Sequence, residues 1–420
     1  PHVTNEIKRH MGQMARTSNA DVILVEIGGT VGDIEGLPFL EAIRQMGNEE
    51  GAGNALFIHV TLVPYIAAAG ELKTKPTQHS VKQLLESGVQ PDVLVLRTEK
   101  SITPDIRRKV AQFCNISVDA VIESINVETI YEVPLRMQAE ELDQVVLRKF
   151  SMPVDKEPDL DRWRLFLKRL GNPKCTVKIG LVGKYIELKD SYLSINEALT
   201  HAGVANECLP EIEWIHSELL TKDNVEEQLK GLDGILVAPG FGERGIEGKV
   251  QAVRYARENN IPFFGICLGM QCSVIEFARN AANLEDAHST EMKPDAKNPV
   301  IFLMASQKDV KEVGGTMRLG LYPCTLTEGS KAQQAYQKTE VKERHRHRYE
   351  FNNSYMSLFE KEGMVATGIN PDGGLVEIVE IPSHPWFVGV QFHPEYSSTV
   401  LNPHPLFVDF IGAAIKNKNK

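Results

Sequence analysis

Short apolar runs alternate with amphipathic, helix-like segments over the first 150 residues of the chain. Three runs rich in branched side chains have the length and flanks of buried strands: residues 21–26, 56–62 and 92–97. Helices are predicted near residues 40–46 and 81–86, the second with Ser80 as its N-cap. Strands that alternate with helices indicate βαβ units, so we predict a parallel sheet covered by helices.

The same alternation returns after a stretch that contains several prolines. Pro153, Pro158 and Pro173 surround a helix-like segment at residues 160–170, so we predict a linker over residues 151–174. Five later apolar runs are predicted as strands: residues 175–183, 234–237, 262–266, 300–304 and 387–391. The predicted fold class is α/β, with two doubly wound parallel-sheet domains over residues 1–150 and 175–420.

The charge balance and the cysteines exclude several classes of protein. The 46 Lys and Arg residues against 56 Asp and Glu residues leave a net charge of −10, the wrong sign for holding nucleic acid through the overall field. No apolar run approaches the roughly 20 residues that span a bilayer. The six cysteines form no C-x-x-C pair and no zinc-ligand spacing, which fits a reducing compartment. We therefore expect a cytoplasmic protein that binds neither nucleic acid nor membranes.

Cys267 stands in the most informative motif of the chain. An apolar strand runs into this cysteine, and Gly265 and Gly269 lie two residues to either side of it. This G-x-C-x-G pattern is typical of the strand–turn–helix elbow that exposes a nucleophile above a parallel sheet, where larger side chains would crowd the turn. The amides at the start of the next helix favour a thiolate. A lone cysteine is usually structural, but the two glycines favour a catalytic one.

A base and an oxyanion site are predicted from two further segments. His393 and Glu395 lie two residues apart, so in an extended chain they face the same side, and Pro394 between them prevents a helix. They fit a general base and the group that orients it, although a surface histidine is the simpler interpretation of this short motif alone. The glycine loop at residues 238–242 follows a predicted strand and offers backbone amides to an oxyanion.

The basic string at residues 344–348, Arg-His-Arg-His-Arg, has three possible interpretations. It could be a metal-binding histidine pair, a patch for nucleic acid, or an anion site. The net negative charge argues against nucleic acid, and a His-x-His without further ligands argues against a metal. An anion site fits best, because a guanidinium binds a carboxylate in bidentate fashion.

These motifs together resemble the triad (class I) glutamine amidotransferases, which hydrolyse glutamine to glutamate and ammonia. The resemblance rests on Gly-Ile-Cys-Leu-Gly-Met-Gln at residues 265–271 and His-Pro-Glu at residues 393–395. It implies that Cys267 is the nucleophile, His393 the base and Glu395 its orienting partner. It also implies a set of glutamine-binding residues: Gly240, Leu268, Gly269, Met270, Gln271, Glu291 and Arg348. One departure is Ala-Pro-Gly at residues 238–240, where the family commonly has Pro-Gly-Gly.

The first domain is similar to the synthetase domain of the CTP synthase family, a P-loop-type amidoligase domain. The similarity rests on residues 25–35, on Lys-Thr-Lys-Pro-Thr-Gln at residues 73–78 and on the basic string, and it extends over the whole chain. It implies three groups of ligand-binding residues: UTP and CTP at Asp33, Ile34, Glu35, Lys73, Thr74, Lys75, Pro76, Thr77, Gln78 and Lys109, ATP at Val127, and Mg²⁺ at Glu26. A carboxylate at the end of a buried strand suits Mg²⁺, and a lysine pair suits a triphosphate.

The resemblance implies a two-part reaction. ATP phosphorylates the uracil 4-oxygen of UTP, and ammonia from glutamine then displaces the phosphate to give CTP. The family also implies GTP as an activator and a homotetramer as the assembly. Two alternatives remain: a regulatory or binding module with an inactive synthetase half, and a different ammonia acceptor, as in GMP synthesis. The loop at residues 73–78 disfavours the second.

No phosphate loop is found in the sequence. Residues 242–249 have one residue too many between their glycines, and Val250 stands where Ser or Thr would bind Mg²⁺. Residues 180–185 do not match either, and the sequence starts at Pro1. We therefore expect that an N-terminal phosphate-loop segment is missing, and that these 420 residues hydrolyse glutamine without making CTP.

Overall fold

The computed structural model describes residues 1–303 and 317–420, which divide into two compact units, Pro1–Leu160 and Asp161–Lys420. The predicted helix-like segment before the second sheet is present as Asp161–Leu170 and belongs to the second unit. The strand predicted at residues 300–304 ends at Leu303, and Met304 lies outside the described residues. Within the described parts, no helix has both the length and the apolar character needed to cross a membrane.

The first unit contains a three-stranded parallel sheet in the order β1-β4-β5. Its helices are α1 His2–Ser18, α2 Leu37–Glu50, α3 Lys75–Glu86, α4 Pro104–Cys114, α5 Val133–Ala139 and α6 Leu142–Lys149. Its strands are β1 Ile58–Val63, β2 Tyr65–Ile66, β3 Glu71–Leu72, β4 Val93–Thr98 and β5 Val121–Ile125. The central strand β4 is almost fully buried, as a parallel strand covered on both faces requires.

Two predictions for this unit are wrong. Residues 21–26 are not a strand, and the side chain of Leu24 is 86% exposed. Branched apolar residues favour a strand only when a neighbour pairs with the backbone, and no strand of the described residues pairs with this segment.

Helix α3 begins at Lys75, so Ser80 lies inside this helix and contacts His59 instead of acting as its N-cap. Pro76 lies in the first turn, where its missing N–H has no intrahelical partner to lose.

The second unit is built on a nine-stranded sheet in the order β13-β12-β15-β16-β17-β9-β8-β6-β7, with a small sheet β10-β11-β14 beside it. Its helices are α7 Asp161–Leu170, α8 Leu193–Ala205, α9 Val225–Leu229, α10 Ile246–Glu258, α11 Leu268–Asn280, α12 Lys331–Tyr336, α13 Met356–Glu362 and α14 Pro405–Lys418. Its strands are β6 Cys175–Gly183, β7 Cys208–His216, β8 Gly234–Val237, β9 Phe263–Ile266, β10 Ala287–Ser289, β11 Asn298–Leu303, β12 Arg318–Leu326, β13 Glu340–His347, β14 Tyr349–Phe351, β15 Val365–Ile369, β16 Val376–Glu380 and β17 Phe387–Val390.

The five strands from β17 to β7 run parallel, which confirms the predicted α/β class. Strands β8, β9 and β17 are completely buried between two helical layers, with α10 and α11 in one core cluster and α8 and α14 in the other. The four strands from β13 to β16 are antiparallel and were not predicted. Strand β13 alternates buried and exposed residues, so it contains no continuous apolar run.

Candidate active site

Three neighbouring strands of the large sheet end at the same edge, and each delivers one part of the predicted site. Strand β9 leads into Cys267, strand β17 on one side leads into His393, and strand β8 on the other side leads into residues 238–242. Parallel strands bring their carboxyl ends to one edge, which is where ligands bind in open α/β sheets. The order β17-β9-β8 therefore places Cys267 between His393 and the glycine loop.

The turn at Cys267 has the strained backbone expected of a nucleophile elbow. Its φ of 51° and ψ of −103° are rarely adopted by a residue with a side chain, and its N–H donates to the carbonyl of Val390 at 2.7 Å. A Cβ atom on Gly265 would lie 2.8 Å from the carbonyl carbon of Gly269, and one on Gly269 would clash with the carbonyl oxygen of Val237. The predicted need for both glycines therefore follows from close contacts between backbones.

His393 and Glu395 form a buried pair, with Nδ1 of the imidazole 2.7 Å from Oε1 of the carboxylate. The ring of His393 also stacks on Tyr396, at 5.3 Å between centroids, which restricts its rotation. Burial lowers the pKa of His393, but the neighbouring Cys267 sulfur and the Glu395 carboxylate outweigh burial and raise this pKa to about 11. These two neighbours therefore favour the imidazolium form of His393.

Replacing Glu395 with Gln is expected to lower the pKa of His393, because one of the two charges that raise it is lost. The folded-state pKa near 11 lies above the ordinary value of 6.5, so ionised His393 stabilises the fold below pH 6.5, and this contribution disappears as the pH rises towards 11. NMR titration of the ring measures both effects. The matched control is Glu343→Gln, which removes the carboxylate bound to His404 and leaves His393 unchanged. An unchanged His393 titration in Glu395→Gln would contradict the assignment.

Two lysines that sequence reasoning missed hold the glycine loop. Lys184 donates to the carbonyl of Phe241, and Lys249 donates to the carbonyl of Ala238 at 2.6 Å. Lys249 is completely buried, and this burial lowers its pKa to about 8. Gly240 lies against Leu268, since a Cβ on Gly240 would be 3.5 Å from Cδ2 of that leucine. The loop is therefore fixed beside the first turn of α11. A lysine on an amphipathic helix is normally exposed, so the sequence carried no signal for Lys249.

Glu291 and Arg348 lie together at the other side of this loop. The N–H of Gly242 donates to Oε1 of Glu291 at 3.2 Å. Burial raises the pKa of Glu291, while the Gly242 hydrogen bond and the charges of Lys184 and Arg348 lower it. The residues predicted to bind glutamine thus lie in two groups at opposite ends of this loop. One group is Gly240 with the start of α11, and the other is Glu291 with Arg348. One pair of oppositely charged side chains beside this loop suits the charged groups of an α-amino acid.

The two histidines of the basic string point away from its arginines. His345 and His347 are buried on one face of β13, and their rings contact each other at 2.9 Å, whereas Arg344 and Arg346 are exposed. Burial lowers the pKa of His345 to about 2 and that of His347 to about 3.

Glu377 joins these two histidines in the one group of three possible metal ligands that the described residues contain. Arg318 donates to Oε1 of Glu377 at 2.7 Å and lies 3.4 Å from His345. A guanidinium at this position repels a cation, so the cluster is better described as a buried hydrogen-bonded network than as a metal site.

In the first unit, the predicted triphosphate loop is in fact the beginning of a helix. Thr74 is the N-cap of α3, Lys75 is its first residue, and Pro76 and Thr77 follow in the first turn. The hydroxyl of Thr77 is fully buried and bonds to the carbonyl of Leu62, while Gln78 bonds to Thr74. Lys73 and Lys75 are exposed at this end of the helix, and the free backbone amides of a first helical turn attract anions.

Lys109 lies near Lys73. Lys73 forms an ion pair with Glu71, and its hydrogen bond and charge, together with the more distant charge of Lys109, lower the pKa of Glu71. Val127 follows the end of β5, at the same edge of the parallel sheet. The structure thus collects Lys73, Lys75, Lys109 and Val127 around the carboxyl ends of the first unit's strands.

Asp33, Ile34 and Glu35 lie elsewhere in the first unit. They form an exposed turn next to Gly32, whose Cα faces the side chain of Gln83. Gln83 is eight residues from Lys75 along α3, which corresponds to about 12 Å at 1.5 Å per residue. The acidic turn therefore lies beside the C-terminal half of α3, whereas Lys75 is at the first turn of this helix. Glu26 is exposed and lies outside any strand, so the buried strand end predicted to support it is absent.

The fold and the arrangement of Cys267, His393 and Glu395 define the second unit as a class I glutamine amidotransferase domain. Residues 187–413 match the family model of class-I glutamine amidotransferases, and residues 1–152 match that of the CTP synthase N-terminus. Since relatives that are more than half identical extend over both matches, the chain belongs to the CTP synthase family of glutamine-hydrolysing ligases.

Two of these relatives are similar over almost the whole chain. The CTP synthase of Cytophaga hutchinsonii is 61% identical, over 99% of this chain and 77% of its own length. The CTP synthase of Christiangramia forsetii is 58% identical, over 100% of this chain and 78% of its own length. Among solved structures, the glutaminase domain of the Trypanosoma brucei CTPS with bound acivicin is 38% identical with a TM-score of 0.54, and covers 57% of this chain and 94% of its own.

Proposed function

We propose that the second unit hydrolyses glutamine to glutamate and ammonia at Cys267. The single observation that carries this proposal is the 2.7 Å contact between Nδ1 of His393 and Oε1 of Glu395, which leaves the buried Nε2 to interact with the sulfur of Cys267. The thiolate attacks the side-chain carbonyl carbon of glutamine, and the amides of Gly240 and Leu268 bind the oxyanion. Imidazolium then protonates the departing ammonia, which leaves a thioester.

Hydrolysis of the thioester returns the enzyme to its starting state. Nε2 of His393, now neutral, takes a proton from water as the oxygen attacks the thioester carbon. The C–S bond breaks, glutamate leaves, and the proton on His393 restores the ion pair with the thiolate. Substrate specificity comes from Arg348, which binds the α-carboxylate, and from Glu291, whose carboxylate suits the α-ammonium group.

We assign the amination of UTP to the first unit, where ATP phosphorylates the 4-oxygen and ammonia displaces the phosphate. The N-terminal end of α3, with Lys73 and Lys75, attracts anions and therefore supports binding of a nucleoside triphosphate. Ammonia must remain unprotonated to act as a nucleophile, so the proposal requires a path shielded from water between the two reactions. GTP as an activator and the tetrameric assembly stay predictions from the family.

Mg²⁺ fits the donor type offered by Glu26, since this ion binds through one or two carboxylates together with substrate phosphates and water. The carboxylate is exposed and accessible, and within residues 1–303 and 317–420 no cluster of three ligands includes it. When bound, the ion would neutralise charge on the phosphates of ATP. The lysines at the start of α3 and Lys109 bind and orient the nucleotide independently of it.

The proposed function is tested by measuring glutamate release and CTP formation on the same purified protein of 420 residues. We expect glutamate release from glutamine, and CTP formation from UTP and ATP, with glutamine or ammonia as the nitrogen donor, reports separately on the first unit. Absence of glutamate release would contradict the glutaminase and favour the regulatory module. Formation of CTP would support the assignment of UTP amination to the first unit and would contradict the expectation that these residues only hydrolyse glutamine.

Replacing Lys73 or Lys75 with Ala is expected to weaken UTP binding about tenfold each, because each lysine contributes a charge-assisted contact to the triphosphate. Equilibrium dialysis with UTP measures the change, and glutamate release should be unaffected because it occurs in the other unit. The matched control is Lys82→Ala on the same helix, where the lysine is exposed near the opposite end. Equal UTP affinity in all three variants and the parent would exclude the phosphate role.

A further inference from the structure

A second side chain from the end of β17 reaches the nucleophile. Gln391 follows the strand directly and is completely buried, and its backbone N–H donates to the carbonyl of Glu377 at 2.8 Å. Its side-chain Nε2 lies 3.6 Å from the sulfur of Cys267, within hydrogen-bond distance for a sulfur acceptor. The nucleophile therefore has a neutral donor beside it in addition to the charged ring of His393.

The orientation of the Gln391 carboxamide is determined by its surroundings. Nε2 of Gln271 lies 3.0 Å from the carbonyl oxygen of Tyr349 and 3.1 Å from Oε1 of Gln391. A backbone carbonyl only accepts, so Gln271 must present its nitrogen to Tyr349, and the second hydrogen of that nitrogen then points to Gln391. Gln391 must consequently present its oxygen to Gln271 and its nitrogen to the sulfur. A flipped amide would place two donors against each other.

We propose that Gln391 is a further catalytic residue of the glutaminase, which stabilises and directs the Cys267 thiolate through an N–H···S hydrogen bond. The proposal rests on the proposed function of Cys267 as nucleophile. A thiolate in a buried site has lost its water shell, and a hydrogen-bond donor replaces part of that solvation. This donor cannot transfer its proton, so the proton on His393 is retained for the departing ammonia.

The same chain of hydrogen bonds links the nucleophile to the predicted glutamine site. The two hydrogens of the Gln271 amide are used by Tyr349 and Gln391, which leaves its oxygen for the substrate. Tyr349 follows Arg348 directly, so these hydrogen bonds connect the sulfur of Cys267 to the neighbour of a residue proposed to bind glutamine. Gln391 and Gln271 together therefore hold the sulfur and the substrate amide in fixed positions relative to each other.

The test compares Gln391→Met, which keeps the volume and removes the donor, with Gln391→Glu, which keeps the shape and adds a negative charge. The rate of alkylation of Cys267 by iodoacetamide is measured against pH by mass spectrometry of the peptide that contains it. We expect the pH midpoint to rise by about one unit in Gln391→Met and further in Gln391→Glu, because the thiolate loses a charge-assisted donor. Gln334→Met and Gln334→Glu, at an exposed position of α12, are the matched controls.

The steady-state kinetics give a second readout. We expect kcat for glutamate release to fall about tenfold in Gln391→Met while KM changes less than about twofold, since the donor acts on the reacting sulfur. An unchanged alkylation midpoint in folded Gln391 variants would overturn the proposal, as would a loss confined to KM. Because alkylation reports on the sulfur itself, its outcome is independent of whether the parent protein releases glutamate, and the two proposals can fail separately.

A measurement on the parent protein covers the case in which the variants do not fold. The side-chain amide signals of Gln391 are followed by ¹⁵N NMR while Cys267 is converted from thiolate to its alkylated form. We expect a large shift of the proton that faces the sulfur, with the amide of Gln334 unchanged. Identical Gln391 signals before and after alkylation would overturn the proposal.

Discussion

Replacing Cys267 with Ala is expected to abolish glutamate release, with a loss of at least about a thousandfold, because the thioester forms on the sulfur that this change removes. His393 and Gly240 remain in place in this variant, but both act on an intermediate that no longer forms. The small side-chain change at a strained turn should not prevent folding. Glutamate release is measured with a coupled dehydrogenase assay.

Cys272→Ala is the matched control for this prediction. Cys272 is completely buried in α11, the helix that begins directly after Cys267. Burial raises the pKa of Cys272 to about 12, so it is a neutral thiol with no part in the proposed reaction. We expect this variant to retain glutaminase activity. Retained activity in Cys267→Ala would refute the triad, whereas equal loss in both variants would mean that α11 had been disturbed rather than the chemistry.

Replacing Gly269 with Ala is expected to remove glutaminase activity and to lower the free energy of unfolding by at least about 2 kcal/mol. The added methyl group would clash with the carbonyl oxygen of Val237, which belongs to the backbone of a fully buried strand and cannot rotate away. Relief of the clash must move α11 away from β8. Such a movement displaces Cys267 and Leu268 relative to the glycine loop, so the oxyanion site would be lost.

Gly412→Ala is the control, because it makes the same change within helix α14. A Cβ on Gly412 meets only Oδ1 of Asn206, at 3.5 Å, which is an ordinary contact. We expect this variant to be as stable as the parent or slightly more stable, since alanine favours a helix. Thermal unfolding and glutamate release are measured on both variants. Equal stability of Gly269→Ala and the parent would show that the elbow does not require this glycine.

The triad could be predicted because its parts are local in the chain. Gly265, Cys267 and Gly269 describe one turn, and His393 with Glu395 describes one short extended segment, so each pattern carries its own geometry. The sheet order then brings the two patterns together without any further information from the side chains. A parallel sheet places the ends of neighbouring strands at one edge, which is a property of the fold class that the apolar runs predict.

Other features depend on contacts between distant residues and could not be predicted. Residues 21–26 have the composition of a strand, but strand formation requires a paired neighbour, which composition does not reveal. Lys249 is buried because the Ala238 carbonyl lies next to its helix, and Gln391 faces the sulfur because Gln271 orients it. In the first unit, the binding of a triphosphate at Lys73 and Lys75 stays a prediction, and the loop predicted around Pro76 is the first turn of a helix that begins at Lys75.

The central claim, that Cys267 is the nucleophile of a glutaminase, is tested most directly by covalent labelling. A glutamine analogue with a chloroketone in place of the carboxamide alkylates the group that attacks the side-chain carbonyl carbon. We expect one adduct per chain, located at Cys267 by peptide mass spectrometry, formed more slowly when glutamine is present and absent in Cys267→Ala. An adduct at another residue that glutamine protects, or labelling of Cys267 that glutamine does not slow, would contradict the assignment.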